Sequence, residues 1–178
     1  MKRFLLLMAI AIFYASTAIA QKADNFDFLA IPLGGPATEI KNQLAQKGFR
    51  LLSTYKDARK YKGKYEGEEC TLTTFTTDEG YIEMMEVFLH YPDWNTLKEK
   101  YYHFKNIFSE KYTLYEAKEE FTEGHFFRNE LEFIKRGKCN YKAEFYIADK
   151  IGDGSAKISI DWFDGKPYVI ITYFTFAP

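Results

Sequence analysis

The chain has 178 residues, 47% hydrophobic and 19% aromatic, with 24 Lys+Arg against 25 Asp+Glu for a formal charge of −1. That near-neutral balance lacks the basic field with which nucleic-acid binders displace phosphate counterions, and so aromatic a composition is not that of a disordered chain. The length suits one domain, which at this size buries roughly 68–70% of its unfolded surface without needing metals or many disulfides.

The first residues read as an export signal. Lys2 and Arg3 supply positive charge, Phe4 to Phe13 is an unbroken apolar stretch, and Ala18 and Ala20 frame Ile19 in the small-x-small pattern of signal-peptidase sites. Cleavage is expected between Ala20 and Gln21, making residues 1–20 a signal peptide and residues 21–178 a single domain, periplasmic or secreted, with a formal charge of −3. A membrane-spanning helix needs about 20 apolar residues, and Ser16 and Thr17 interrupt this run sooner, so no transmembrane anchor is expected. No cysteine near the cleavage point suggests lipoprotein processing. The two cysteines, Cys70 and Cys139, are candidates for one disulfide in an oxidising compartment; the alternative is two separate buried thiols.

The first helix is announced by Gly34-Gly35-Pro36, since proline lacks an N–H that the first turn would leave unpaired. Ala37, Ile40 and Leu44 recur at helical spacing, and Gly48 ends the run with Phe49 placed to fold back on the last turn. From Phe49 to Tyr91 the pattern is extended, with strands around Arg50–Tyr55, Glu69–Thr76 and Tyr81–Tyr91, the last two joined by a turn at Asp78-Glu79-Gly80. The second helix follows Pro92, with Asp93 as N-cap and Trp94, Leu97, Tyr101, Phe104 and Phe108 at alternating steps of three and four. After a short extended piece near Tyr112–Tyr115 come four strands with turns at Gly137, Gly152-Asp153-Gly154 and Asp164-Gly165. Tyr168 to Phe176 is apolar on both faces, which predicts a central strand. The expected architecture is α+β: an antiparallel, curved sheet with two helices on one face, in the order α-β-β-β-α-β-β-β-β-β. Similar segments after the helices, Lys47-Gly48-Phe49-Arg50-Leu51 and Lys111-Tyr112-Thr113-Leu114, hint at a duplicated helix-plus-meander unit.

Most specific chemistries find no support. Histidines 90, 103 and 125 are scattered, without the i, i+4 spacing that puts two zinc ligands on one helix face. Ser155 lacks the context of a nucleophile elbow, and the Gly-Lys pairs lack the remainder of a phosphate loop. The Asp149 to Gly154 segment fails as a calcium loop, because Ile151 and Ile160 stand where oxygen ligands belong. No catalytic residue, cofactor or metal site is assigned. Glu83 and Glu86 are the only acids in an otherwise apolar strand, but three apart on a strand they point to opposite faces. A small secreted hydrolase using a carboxylate pair is the alternative reading.

The main surface candidate is the run Lys56, Arg59, Lys60, Lys62 and Lys64, interleaved with Tyr61 and neighbouring tyrosines. Cations and aromatics together can hold an anionic polymer or a sugar face, whereas most charge runs are solvated loops. This supports a non-catalytic binding module whose partner is an unidentified protein or glycan, and not nucleic acid.

The opening Phe28-Leu29-Ala30-Ile31-Pro32-Leu33-Gly34-Gly35, followed by Glu39, Leu44 and Lys47-Gly48-Phe49, resembles a family of uncharacterised exported proteins from gut bacteria. Those show an aromatic, then Gly-Ile-Pro, a turn, a helix and Lys-Gly-Phe, and Ala30 here stands in the place of the glycine. The resemblance extends through Pro92-x-Trp94, Lys111-Tyr112 and Cys139-x-Tyr141, and carries over no functional residues. The layout is also similar to β-lactamase-inhibitor-like folds, which grip protein partners; that likeness is one of fold alone. A binding module would present a concave, aromatic sheet face away from the helices.

Overall fold

A computed structural model describes residues 26–122, 130–147 and 154–175. The expected cleavage point at Ala20 and Gln21, and His125, lie outside the described residues. A two-residue hairpin pairs β1 (Asp27–Phe28) with β2 (Ile31–Pro32), and α1 (Ala37–Gln46) follows. Then come β3 (Arg50–Tyr55), β4 (Ala58–Tyr65), β5 (Glu68–Thr76) and β6 (Ile82–His90). The chain continues through α2 (Trp94–Lys111), β7 (Thr113–Phe121), α3 (Glu130–Lys135), β8 (Cys139–Tyr146), β9 (Gly154–Phe163) and β10 (Lys166–Thr175). Strands β3 to β10 form one antiparallel sheet in the order β3-β4-β5-β6-β10-β9-β8-β7.

That order divides the sheet into two halves of matching layout. Outward from the β6–β10 seam the sheet reads β6, β5, β4, β3 on one side and β10, β9, β8, β7 on the other. Each half is a four-strand meander preceded by a helix, α1 or α2, with α3 inserted into the second. The seam strand β10 is central, as its two apolar faces require.

Local chemistry fixes the helix ends. Helix α1 stops in a Schellman turn: Gly48 has φ +86, its N–H donates to the Ala45 carbonyl, and the Phe49 N–H reaches the Leu44 carbonyl at 3.0 Å. At the start of α2 the Asp93 carboxylate accepts from the Thr96 N–H at 3.0 Å and from its hydroxyl at 2.8 Å. The stripe Leu97, Tyr101, Phe104 and Phe108 is buried against Val169, Ile171 and Tyr173 of β10 and Ala143 and Phe145 of β8 in a single core. Each such side chain contributes about 1.5–3 kcal/mol on full burial. Ile40 and Leu44 of α1, Phe28 and Ile31 of the small hairpin and Ile134 of α3 belong to the same core, so these elements share one face of the sheet.

Two elements differ from the sequence reading. The cationic run is a strand, β4, whose alternation is set by Tyr61 and Tyr65 turning inward; the many lysines disguise it. Where the first of four closing strands was expected, α3 forms instead. Glu130 and Glu132 in its first turn and Lys135 in its last complement the helix dipole. It ends in a second Schellman turn, with Gly137 at φ +65 and the Lys138 N–H on the Phe133 carbonyl at 2.8 Å. The extended piece after α2 is also longer than expected, running from Thr113 to Phe121.

The disulfide expectation is corrected. Cys70 and Cys139 are free thiols, on β5 and β8, four strand positions apart. At the usual inter-strand spacing that is about 19 Å, beyond the ~7 Å limit for a bridge. Burial pushes both thiols up, Cys70 to about 12 and Cys139 to about 11, so neither is poised as a nucleophile.

Candidate functional site

Strand register assigns every side chain to one of the two faces. On β6, Met85, Val87 and Leu89 point into the core, so Met84, Glu86, Phe88 and His90 face the other way. Their partners follow: Thr71 opposite Phe88 and Thr73 opposite Glu86 on β5, and Ile170 opposite Phe88 and Thr172 opposite Glu86 on β10. No helix among the described residues packs on this face. Phe88, Ile170 and Thr172 are nevertheless only 8%, 9% and 2% exposed. Neighbours on the same face cover them: Thr172 stands between Glu86 and Lys157, and Ile170 lies beside Phe88, itself flanked by Phe163 and Tyr168.

Over this floor lies a cavity of about 240 Å³, lined by Lys60, Thr71, Thr73, Phe75, Glu86, Phe88, Phe163, Asp164 and Tyr168. Its wall is the turn between β9 and β10, where Asp164 (φ +47) and Gly165 (φ +77) form the two-residue connection read from the sequence. That turn sets Phe163, 52% exposed, beside the floor. The Phe163 ring centroid is 5.1 Å from that of Phe88, and Tyr168 meets Phe88 edge-on at 5.8 Å. Tyr168 is steadied from behind by His90, whose ring lies 5.4 Å away and whose Nδ1–H donates to the Pro167 carbonyl at 2.9 Å.

Glu86 is the polar centre of this cavity. Burial raises its carboxyl above the ordinary carboxylate range, and Lys157, on β9 beyond Thr172, offsets only part of that. Glu83 does not join it, since it is exposed and sits at the irregularity where Phe75 pairs with Met84 but Thr76 with Ile82.

The residues picked from sequence are divided by the same alternation. Lys60 lines the cavity, while Lys62, next on that face, pairs with Glu69 at 3.0 Å. Lys64, opposite Glu69, is exposed beyond it. Arg59 and Tyr61 point to the helix side, and Tyr61 is buried in the core. Lys56 occupies the β3–β4 turn at φ +48, its ammonium 5.6 Å from the Tyr55 ring. The run is therefore not one surface. Phe75, Phe88, Phe163 and Tyr168 were missed as site residues; their signal was apolar residues on the outward phase of β5, β6, β9 and β10.

A larger cleft of about 470 Å³ lies between the small hairpin and the end of α2, lined in part by Tyr65, Tyr112 and Tyr173. Its hydroxyls serve the fold: Tyr65 and Tyr173 bond to each other at 3.0 Å, and Tyr112 accepts from the Asp27 N–H at 3.4 Å. Among the described residues no cluster of His, Cys, Asp and Glu could hold a metal ion, and no helix is long and apolar enough to cross a membrane. No protein-family model, curated protein or solved structure matches this chain.

Proposed function

We propose that this chain is an exported, non-catalytic binding module that holds a protein or glycan partner of the cell envelope against the helix-free face of its sheet. The observation that carries the reading is the aromatic floor and wall of that face, Phe88, Phe163 and Tyr168, around a cavity no core residue needs. Aromatic rings exposed in a concavity bury much area at little entropic cost, and convergent polar groups then set orientation. The export signal read at residues 1–20 supports placing the partner outside the cytoplasm.

The test is retention of envelope components and of arrayed glycans on immobilised protein, comparing wild type with Phe163→Ser and with Phe163→Ala. Phe163 is 52% exposed and outside the core, so both variants fold. Loss of specific retention in the variants supports the helix-free face as the site; retention equal to wild type refutes it. A second reading, a small hydrolase with a carboxylate pair, draws on Glu86 and Asp164 lining one cavity. Release of product from any retained ligand, abolished by Glu86→Gln, would establish that reading in place of binding.

A further inference from the structure

Glu86 has no protein partner: among the described residues no hydrogen bond or ion pair reaches its carboxylate, which is half-buried on an aromatic-lined floor and still open to water or a ligand. Its neighbours on the same face are Met84 and Phe88 along β6, Thr73 across to β5 and Thr172 across to β10. Beyond these stand the charged groups of the other strands: Lys60 on β4, one strand past Thr73, Lys157 on β9, one strand past Thr172, and Asp164 at the hairpin turn. His90 is committed to the Pro167 carbonyl. The cavity lining thus carries two carboxylates against one ammonium, together with Phe75, Phe88, Phe163 and Tyr168.

A desolvated carboxylate gains most from a ligand that brings positive charge and hydrogen-bond donors together. Aromatic rings favour the same kind of group, because the negative face of the π-system attracts a cation within about 6 Å of its centroid. A cavity of about 240 Å³ is below the usual range of roughly 300–1,000 Å³ for whole small-molecule sites, and suits one side chain or a short alkyl amine. We propose that the β5–β6–β10 cavity is a cation-accepting cage that takes a protonated aliphatic amine, as on a basic side chain of the partner, with the ammonium on Glu86 and its alkyl stem among Phe88, Phe163 and Tyr168. This rests on the helix-free face being the binding surface, and names what that surface recognises. Lys60 then acts against an approaching cation, at the β4 side of the cavity.

The experiment titrates the full folded chain, followed by NMR of the cavity residues, with n-butylammonium, n-butanol, butyrate and methyl glucoside at matched ionic strength. The expected result is that n-butylammonium shifts the Phe88, Phe163 and Tyr168 resonances at concentrations at least tenfold lower than n-butanol or butyrate do. Glu86→Gln, which keeps the side chain's shape, should remove that preference, and Lys60→Gln should tighten amine binding two- to fivefold. The amine response should weaken on acidification as Glu86 protonates; Lys60, Lys157, Asp164 and His90 are other charged or titratable groups on this face. Equal response to amine and alcohol, an unchanged preference in Glu86→Gln, or a stronger response to methyl glucoside or butyrate would overturn the proposal. Any of these beside partner retention that is lost in Phe163→Ser leaves the helix-free face standing as the binding surface, so the two fail separately.

Discussion

Tyr65 and Tyr173 give a sharp test of the packing that unites the two halves. Their hydroxyls are 3.0 Å apart in the core, where Tyr65 also stacks on Phe28 at 5.4 Å with only 10° between planes. Burial holds both phenols far above the ordinary tyrosine range, so they are neutral at any physiological pH and the bond is a neutral one. Replacing either with Phe deletes one hydrogen bond, a net loss of about 1 kcal/mol, and strands the surviving hydroxyl away from water at a further cost of about 1–3 kcal/mol. Each single variant should therefore lose about 2–4 kcal/mol. The double variant Tyr65→Phe/Tyr173→Phe strands nothing and should lose no more than about 1 kcal/mol, less than either single change and far below their sum. Urea unfolding with unchanged m-values measures all three. Additive losses in the double-mutant cycle would refute the pairing, since coupling is the signature of direct contact.

Other expectations follow from single residues. Gly63→Ala places a Cβ 2.5 Å from the Phe49 ring and should destabilise by about 1–3 kcal/mol through overpacking, measured by urea midpoint; Phe49→Leu in the same background should recover part of the loss. Ala30 lies in the β1–β2 turn at φ +63 beside Leu29 at φ +53, and Ala30→Gly should raise stability by up to about 1 kcal/mol, since only glycine takes that conformation without steric cost. Burial raises the Glu119 carboxyl, but the Lys105 ammonium and the Tyr102 hydroxyl, donating at 3.0 Å, outweigh it and leave the carboxyl below its ordinary value. A depressed carboxyl stabilises the fold above its unfolded value near pH 4 and loses that contribution as pH falls through the folded value. Glu119→Gln should therefore lower Tm at pH 7, with the gap to wild type closing on acidification. Glu86, held above its ordinary value, has the opposite sign: Glu86→Gln should raise Tm at pH 7, and that gain should shrink as pH falls through the raised folded value and be gone below the unfolded value at about pH 4.

Sequence alone determined the parts of this protein that depend on neighbours along the chain. The α2 stripe, the Asp93 cap, the Gly48 helix stop and the Asp164-Gly165 turn are each written in a window of a few residues, because backbone hydrogen bonding and side-chain periodicity act at that range. The α+β class and the central place of β10 followed from the same patterns, one helical stripe and one strand apolar on both faces. Local signals also misled where charge masked alternation. Lysines hid β4, although Tyr61 and Tyr65 were already on its inward phase, and the mixed segment that became α3 gave no clear period over its six residues.

The site belongs to the tertiary structure. Phe75 and Phe88 are 13 positions apart and Phe163 and Tyr168 lie far beyond them, so no local window holds the cavity; it exists because β6 and β10, from different halves, pair at the seam. Burial on the helix-free face is likewise collective: Thr172 faces outward yet is covered because Glu86 of β6 and Lys157 of β9 stand on either side of it. Cys70 and Cys139 show the same limit. Whether two cysteines can bond depends on strand order, which places these four positions apart, and strand order is set by how the two halves join.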